Sequence, residues 1–187
     1  MKQTNNAALL IMDMQSSILQ RIENASPLLE NVNQAIKKAK VNQIPVIYVA
    51  VGFRADAPEI SVNNKSFYTI ASQINWTTEF ADSWLQLHPD LEVDEHALKI
   101  VKRRVSAFTG SDLEVLLRGL NTNHIILTGV ATSGVVLSTL REAADKDFQI
   151  SVIEDCCVDP DPEVHKILIT KVFPKQAEVL SLASWDN

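Results

Sequence analysis

Six short apolar runs, at residues 8–12, 45–51, 97–101, 124–130, 150–153 and, more weakly, 178–182, constrain the fold more than any other feature. Each is rich in Val, Ile and Leu and lacks the strict polar alternation of a half-exposed strand. Such runs mark strands covered on both faces, hence a parallel sheet between layers of helix. The segments between them carry helical signatures. Ser26-Pro27 reads as a cap followed by proline in the first turn, and Leu28, Leu29, Val32, Ile36 and Ala39 then form one stripe. Ser111-Asp112-Leu113-Glu114 has the form of a capping box. Asp161-Pro162 opens another helix with Val164, Leu168 and Val172 on one face, and 132–147 reads as a helix that follows a strand directly. Strand and helix in alternation predict an α/β sandwich with right-handed crossovers.

The 187 residues suit one domain, 1–187. With 17 Lys+Arg against 23 Asp+Glu the net charge is −6 and no basic run occurs, which argues against a nucleic-acid partner. No apolar stretch reaches the roughly 18 residues that span a bilayer, and the N-terminus makes a poor signal peptide. The two cysteines, Cys156 and Cys157, are neighbours and imply no disulfide framework, so the expected setting is the reducing cytoplasm. One stretch, 52–95, breaks the alternation; it carries Pro58, Pro89, Trp76 and Trp84 and reads as a lid or interface, with a short helix over 66–74. Trp76, Phe80 and Trp84 are candidate interface anchors.

Ligands of an open parallel sheet bind beyond the carboxyl ends of its strands. The residues there are Asp13 and Gln15, then Gly52-Phe53-Arg54, Lys102 and Arg104, Thr132-Ser133-Gly134, and Asp155-Cys156-Cys157. Asp13 ends an apolar run; at the rim of a core its pKa would rise toward neutrality, as proton transfer requires, unless it merely caps the next turn. Lys102 either holds that acid ionised or orients substrate, or belongs to a solvated Lys-Arg-Arg face. The turn at 129–136 leads from strand to helix, where unpaired backbone N–H groups hold anions. It is not a phosphate loop, since no Gly-Lys-Ser/Thr follows. The four histidines lack ligand spacing and no Cys-x-x-Cys occurs, so neither metal nor cofactor is expected. His165 reads as a surface or capping residue, and Cys156 and Cys157 as inert buried thiols.

The stretches ALLIMDMQ, IVKRRVSAFTGSDLEVLLRGL, IILTGVATSGVVLSTLREAADKDF and VIEDCCVDPDPEVH, in that order, resemble the isochorismatase-like (cysteine hydrolase) superfamily over nearly the whole chain. The resemblance implies a doubly wound, Rossmann-like three-layer α/β/α sandwich with six parallel strands, a homodimer or homotetramer, and a cis peptide at Val130-Ala131. Hydrolases of that family cleave C–N bonds of amides with an Asp, a Lys and a Cys. The resemblance puts the first two on Asp13 and Lys102 and the third on Val135, six residues after Gly129. Valine has no nucleophilic atom, and neither do Gly134 and Val136 beside it. Isochorismatases themselves lack the cysteine and cleave a vinyl ether by protonating the enol carbon while water attacks. They carry an aromatic residue and a histidine where this chain has Ala131-Thr132-Ser133, so their substrate does not carry over.

The expectation is therefore a thiol-independent hydrolase of a small molecule. Asp13 is its acid or base, Lys102 its partner, and Gln15 with Val130, Ala131, Thr132, Ser133, Gly134 and Val135 its substrate or oxyanion site. Two alternatives stand beside it. One is a non-catalytic member that binds a small anion or serves as a scaffold; the other recruits Cys156 or Cys157 as nucleophile.

Overall fold

A computed structural model describes residues 6–185. Its strands are β1 (Ala7–Met12), β2 (Val46–Val51), β3 (Leu98–Lys102), β4 (His124–Val130), β5 (Gln149–Val158) and β6 (Glu178–Leu180). All pairings are parallel and the spatial order is β3-β2-β1-β4-β5-β6. The chain starts in the middle, winds outward to β3, then returns to build the other half. The reversal falls between β1 and β4, and in doubly wound sheets that crevice is where ligands bind.

Alternation along β1 sorts the core into two layers. Ala8, Leu10 and Met12 face one way, where Leu113 and Leu117 of helix α5 (Leu113–Gly119) and Leu140 and Ala143 of α6 (Leu137–Asp145) cover them. Leu9 and Ile11 face the other way, under Leu28, Leu29, Val32, Ile36 and Ala39 of α2 (Ser26–Val41), which follows the single turn α1 (Ser16–Leu19). The stripe read from the sequence is thus the buried face of α2, and each fully buried Leu or Ile contributes roughly 1.5–3 kcal/mol. Among the described residues no helix is long and apolar enough to cross a membrane.

Several local expectations need correction. Ser26 is the first residue of α2 and Ala25 holds the cap position without a side-chain bond. The capping box does not form, because Ser111 turns its hydroxyl back to Ala107 O (2.6 Å) while accepting from Leu113 N (3.2 Å). The short helix α3 spans Lys65–Ala71, and a second, α4 (Thr78–Trp84), follows where none was expected. Asn64 and Thr77 cap these two, accepting from Phe67 N and Phe80 N. Asp161 caps α7 (Pro162–Ile167) as expected, accepting from Glu163 N and Val164 N.

The fifth strand is the largest departure. It does not stop at Ile153 but continues to Val158, so Asp155, Cys156 and Cys157 lie within it rather than beyond it. Val152 pairs with Leu127, yet Cys157 pairs with Gly129, so an irregularity absorbs the extra β5 residues. Gly129 itself has φ 154°, and a Cβ there would meet Met12 O at 2.7 Å. Only glycine lets β4 approach the end of β1 this closely.

Candidate active site

Asp13 leaves β1 with φ 59°, a left-handed conformation that Asp and Asn adopt more readily than most residues. Its amide donates to Val49 O (2.8 Å), so the backbone is anchored, and the residue is buried, 6% exposed. Lys102 is the last residue of β3, two strands away and 1% exposed. Its Nζ lies 3.0 Å from Asp13 Oδ2, 3.0 Å from Arg104 O and 3.0 Å from Val105 O. Three acceptors meet three N–H donors, which is the coordination of an ammonium group. Lys102 is therefore no solvated surface cation.

The pair divides the two carboxylate oxygens. Oδ2 takes the lysine, whereas Oδ1 is buried and makes no hydrogen bond among the described residues. Burial raises the Asp13 pKa above its ordinary value, and the adjacent Lys102 charge opposes that rise. Asp13 and Lys102 share a cavity of about 250 Å3 with Val130, Ala131, Gly134 and Val135 from the turn after β4. The long connection supplies the facing wall, including Phe53, Phe67, Trp76 and Trp84. A larger hollow of about 540 Å3 opens on β2 and β3 beside Tyr48, His88 and Lys99, but contains neither member of the charge pair.

The turn after β4 contains the cis peptide Val130-Ala131 and leads into a wide helical turn over Thr132–Val136. Several of its groups are already engaged. The Ser133 amide donates to Asp159 Oδ2 (2.7 Å), and the Gly134 and Val136 amides fold back on Ala131 O (3.0 and 3.3 Å). Thr132 is fully buried, with its hydroxyl 2.8 Å from His165 Nδ1. Ser133 is exposed and does not border the cavity. The Ala131 amide makes no hydrogen bond among the described residues and Ala131 borders the cavity, whereas Thr132 does not. The expected anion site thus narrows, and His165 is a brace on the turn rather than a surface residue.

Gln15 needs a firmer correction, because it is fully buried and its amide is spent. Nε2 donates to Val51 O (3.0 Å) and Trp84 O (2.6 Å), and Oε1 accepts from Val51 N (2.8 Å). Gln15 therefore ties the ends of β1, β2 and α4 together instead of binding substrate. Gln15→Ala is expected to strand these backbone groups and to cost about 3 kcal/mol in urea unfolding, with the m-value unchanged.

Trp76 and Trp84 are 4% and 7% exposed, so they are internal packing rather than interface anchors. Trp76 meets Phe53, Phe80 and Trp84 edge-on, with ring centroids 5.5, 5.1 and 5.4 Å apart. The sequence reading missed Ile18, Arg21, Ile60, Phe67 and Ile70 as cavity residues. For Ile60, Phe67 and Ile70 the signal was the concentration of large apolar side chains in a stretch with no apolar strand run; Ile18 and Arg21, which follow β1, had none. Cys156 and Cys157 belong to core layers on opposite faces of the sheet, and neither borders the cavity. Burial raises both thiols, that of Cys157 to about 12. Neither is placed to serve as a surrogate nucleophile. Among the described residues no group of His, Cys, Asp and Glu could hold a metal ion. His124 is a core histidine 2.9 Å from Ser151 Oγ.

Known proteins share this fold. The isochorismatase domain model matches residues 7–184. The uncharacterized isochorismatase family protein YecD of Escherichia coli O157:H7 is 31% identical over 178 residues, covering 94% of this chain and 92% of that protein. A probable inactive nicotinamidase of Arabidopsis thaliana is 26% identical over 193 residues, covering 97% and 95%. The solved structure of N-carbamoylsarcosine amidase from Thermoplasma acidophilum matches with a TM-score of 0.77 at 21% identity, covering 97% and 99%, a likeness of fold.

Proposed function

The chain belongs to the isochorismatase family, and from that premise we propose that it hydrolyses a small molecule using water, not a thiol, as the nucleophile. One observation carries the reading: Asp13 borders a cavity, and its Oδ1 is buried and unbonded while Lys102 holds Oδ2. Burial raises the Asp13 pKa, which makes its carboxylate a better base and lets it return the proton it takes. Acting as base, Asp13 takes a proton from water as the water oxygen attacks, then delivers that proton to the departing group. The Ala131 amide, at the cavity wall, receives the negative charge that develops on the carbonyl oxygen as water adds to its carbon. Lys102 keeps its ammonium on Oδ2 throughout and so directs the chemistry to Oδ1. Val135, where the sequence resemblance puts the amidase cysteine, borders the same cavity. One structural relative is named an amidase.

A second reading, binding of a small anion without turnover, is favoured by Val135 itself and by the relative named as a probable inactive nicotinamidase. The test is product release from a panel of small amides, ureido acids and vinyl ethers, before and after alkylation with iodoacetamide. Turnover is expected and should survive alkylation. Loss of activity on alkylation would return the nucleophile to a thiol. Stabilisation by panel members without any product would favour the binding reading.

A further inference from the structure

Two buried side-chain polar atoms among the described residues have no hydrogen-bond partner: Asp13 Oδ1 and Trp76 Nε1. Both residues border the same cavity. The first is accounted for by the chemistry proposed above; the second is not. We propose that the Trp76 indole N–H is a specificity-determining donor, and that the ligand is a small, flat molecule whose acceptor oxygen it binds while its reacting group lies at Asp13. This deepens the hydrolase reading in that it uses the same cavity, but binding itself requires no turnover.

The comparison with Trp84 carries much of the weight. Both tryptophans line the cavity, yet the Trp84 N–H is satisfied within the protein, at 3.0 Å from Val51 O. Trp76 is 4% exposed and clamped edge-on by three aromatic rings, so packing holds its donor in place unspent. A buried N–H without an acceptor is costly, and native structures rarely retain one unless a bound group completes it. The ring also borders an outer hollow whose wall includes Asp56, Ser72 and Asn75, and none of these bonds to Nε1.

Indole nitrogen donates and never accepts, which fixes the ligand atom as an acceptor. The rest of the cavity wall, apolar apart from Arg21, Ser66 and the charge pair, fixes the body that carries it. Phe53 and Phe67 pack edge-on at 5.3 Å, and Ile60, Ile70 and Val105 complete an apolar lining suited to a planar, unsaturated skeleton. About 250 Å3 lies below the usual range for drug-sized ligands, so the molecule is small.

Acetophenone and α-methylstyrene have nearly the same shape and differ at one acceptor oxygen, which makes them suitable probes. Titrations of wild-type protein and Trp76→Phe are read by isothermal calorimetry and by the indole N–H resonances in 1H–15N NMR. Trp76→Phe keeps a ring in the cluster and deletes the donor. Wild-type protein is expected to bind acetophenone about tenfold more tightly than α-methylstyrene, with one indole resonance, absent from the variant, moving downfield. Trp76→Phe should lose that tenfold preference while binding α-methylstyrene unchanged. Equal binding of both probes by wild type, no binding of either, or a preference that survives in the variant overturns the proposal. Asp13→Asn serves as the control for the underlying reading: it should keep the preference even if every turnover assay fails.

Discussion

Asp13→Asn is expected to reduce kcat/KM by about 1,000-fold, within the range that positioned acid–base groups supply, while the protein stays folded. The choice of asparagine follows from the backbone. Asp13 has φ 59°, where asparagine is tolerated and alanine adds about 1–2 kcal/mol of strain, so Asp13→Ala would mix a folding defect with a chemical one. Asparagine also keeps an oxygen for the Lys102 ammonium, which otherwise sits 3.0 Å from a carboxylate in a buried site. It removes only the ability to carry a proton. Because burial raises the Asp13 pKa, the pH–rate limb that this residue controls should lie above the ordinary carboxylate range, and the residual activity of the variant should lack it. Activity within threefold of wild type, or an unchanged pH profile, would place the chemistry elsewhere.

The sheet and the charge pair were legible in the sequence for the same reason. Strands covered on both faces need unbroken apolar runs, and Asp13 and Lys102 stand out because each sits where a run emerges. What could not be read depends on partners far along the chain. Gln15 has the same composition whether it binds a ligand or, as here, the backbone of Val51 and Trp84. Ser133 looked like a free helix-start amide until Asp159 reached it, and Thr132 acquires its histidine from α7. The continuation of β5 was hidden because Glu154 and Asp155 break its apolar pattern at the irregularity. Helix α4 was hidden because seven residues give little periodicity, although Thr77 ahead of it is an ordinary cap. For Gln15, Thr132 and Ser133 short-range pattern gave the position and a long-range hydrogen bond decided its use.

Lys102→Met should have the largest effect on stability, about 3–5 kcal/mol by urea unfolding at neutral pH. Methionine matches the unbranched shape of the lysine stem, so packing changes little. What is lost is the ammonium, and with it the partner of a buried carboxylate and the donors to Arg104 O and Val105 O. The pH dependence follows from the direction of the Asp13 shift. Its pKa is raised in the folded protein above the ordinary 3.8, with Lys102 the main influence holding it down. Without Lys102 it rises further. A carboxyl group whose folded pKa is raised supports folding fully below its unfolded pKa, and that support is lost as pH rises through the folded value. The deficit of the variant should therefore be largest near pH 8 and shrink as the solution is acidified toward 3.8, where Asp13 is neutral and its burial is cheap. Adding Asp13→Asn to Lys102→Met should recover part of the loss at pH 8, because both charges are then gone. A single variant costing less than about 1 kcal/mol, or a deficit that grows on acidification, would mean that the buried pair is not the charged assembly its geometry describes.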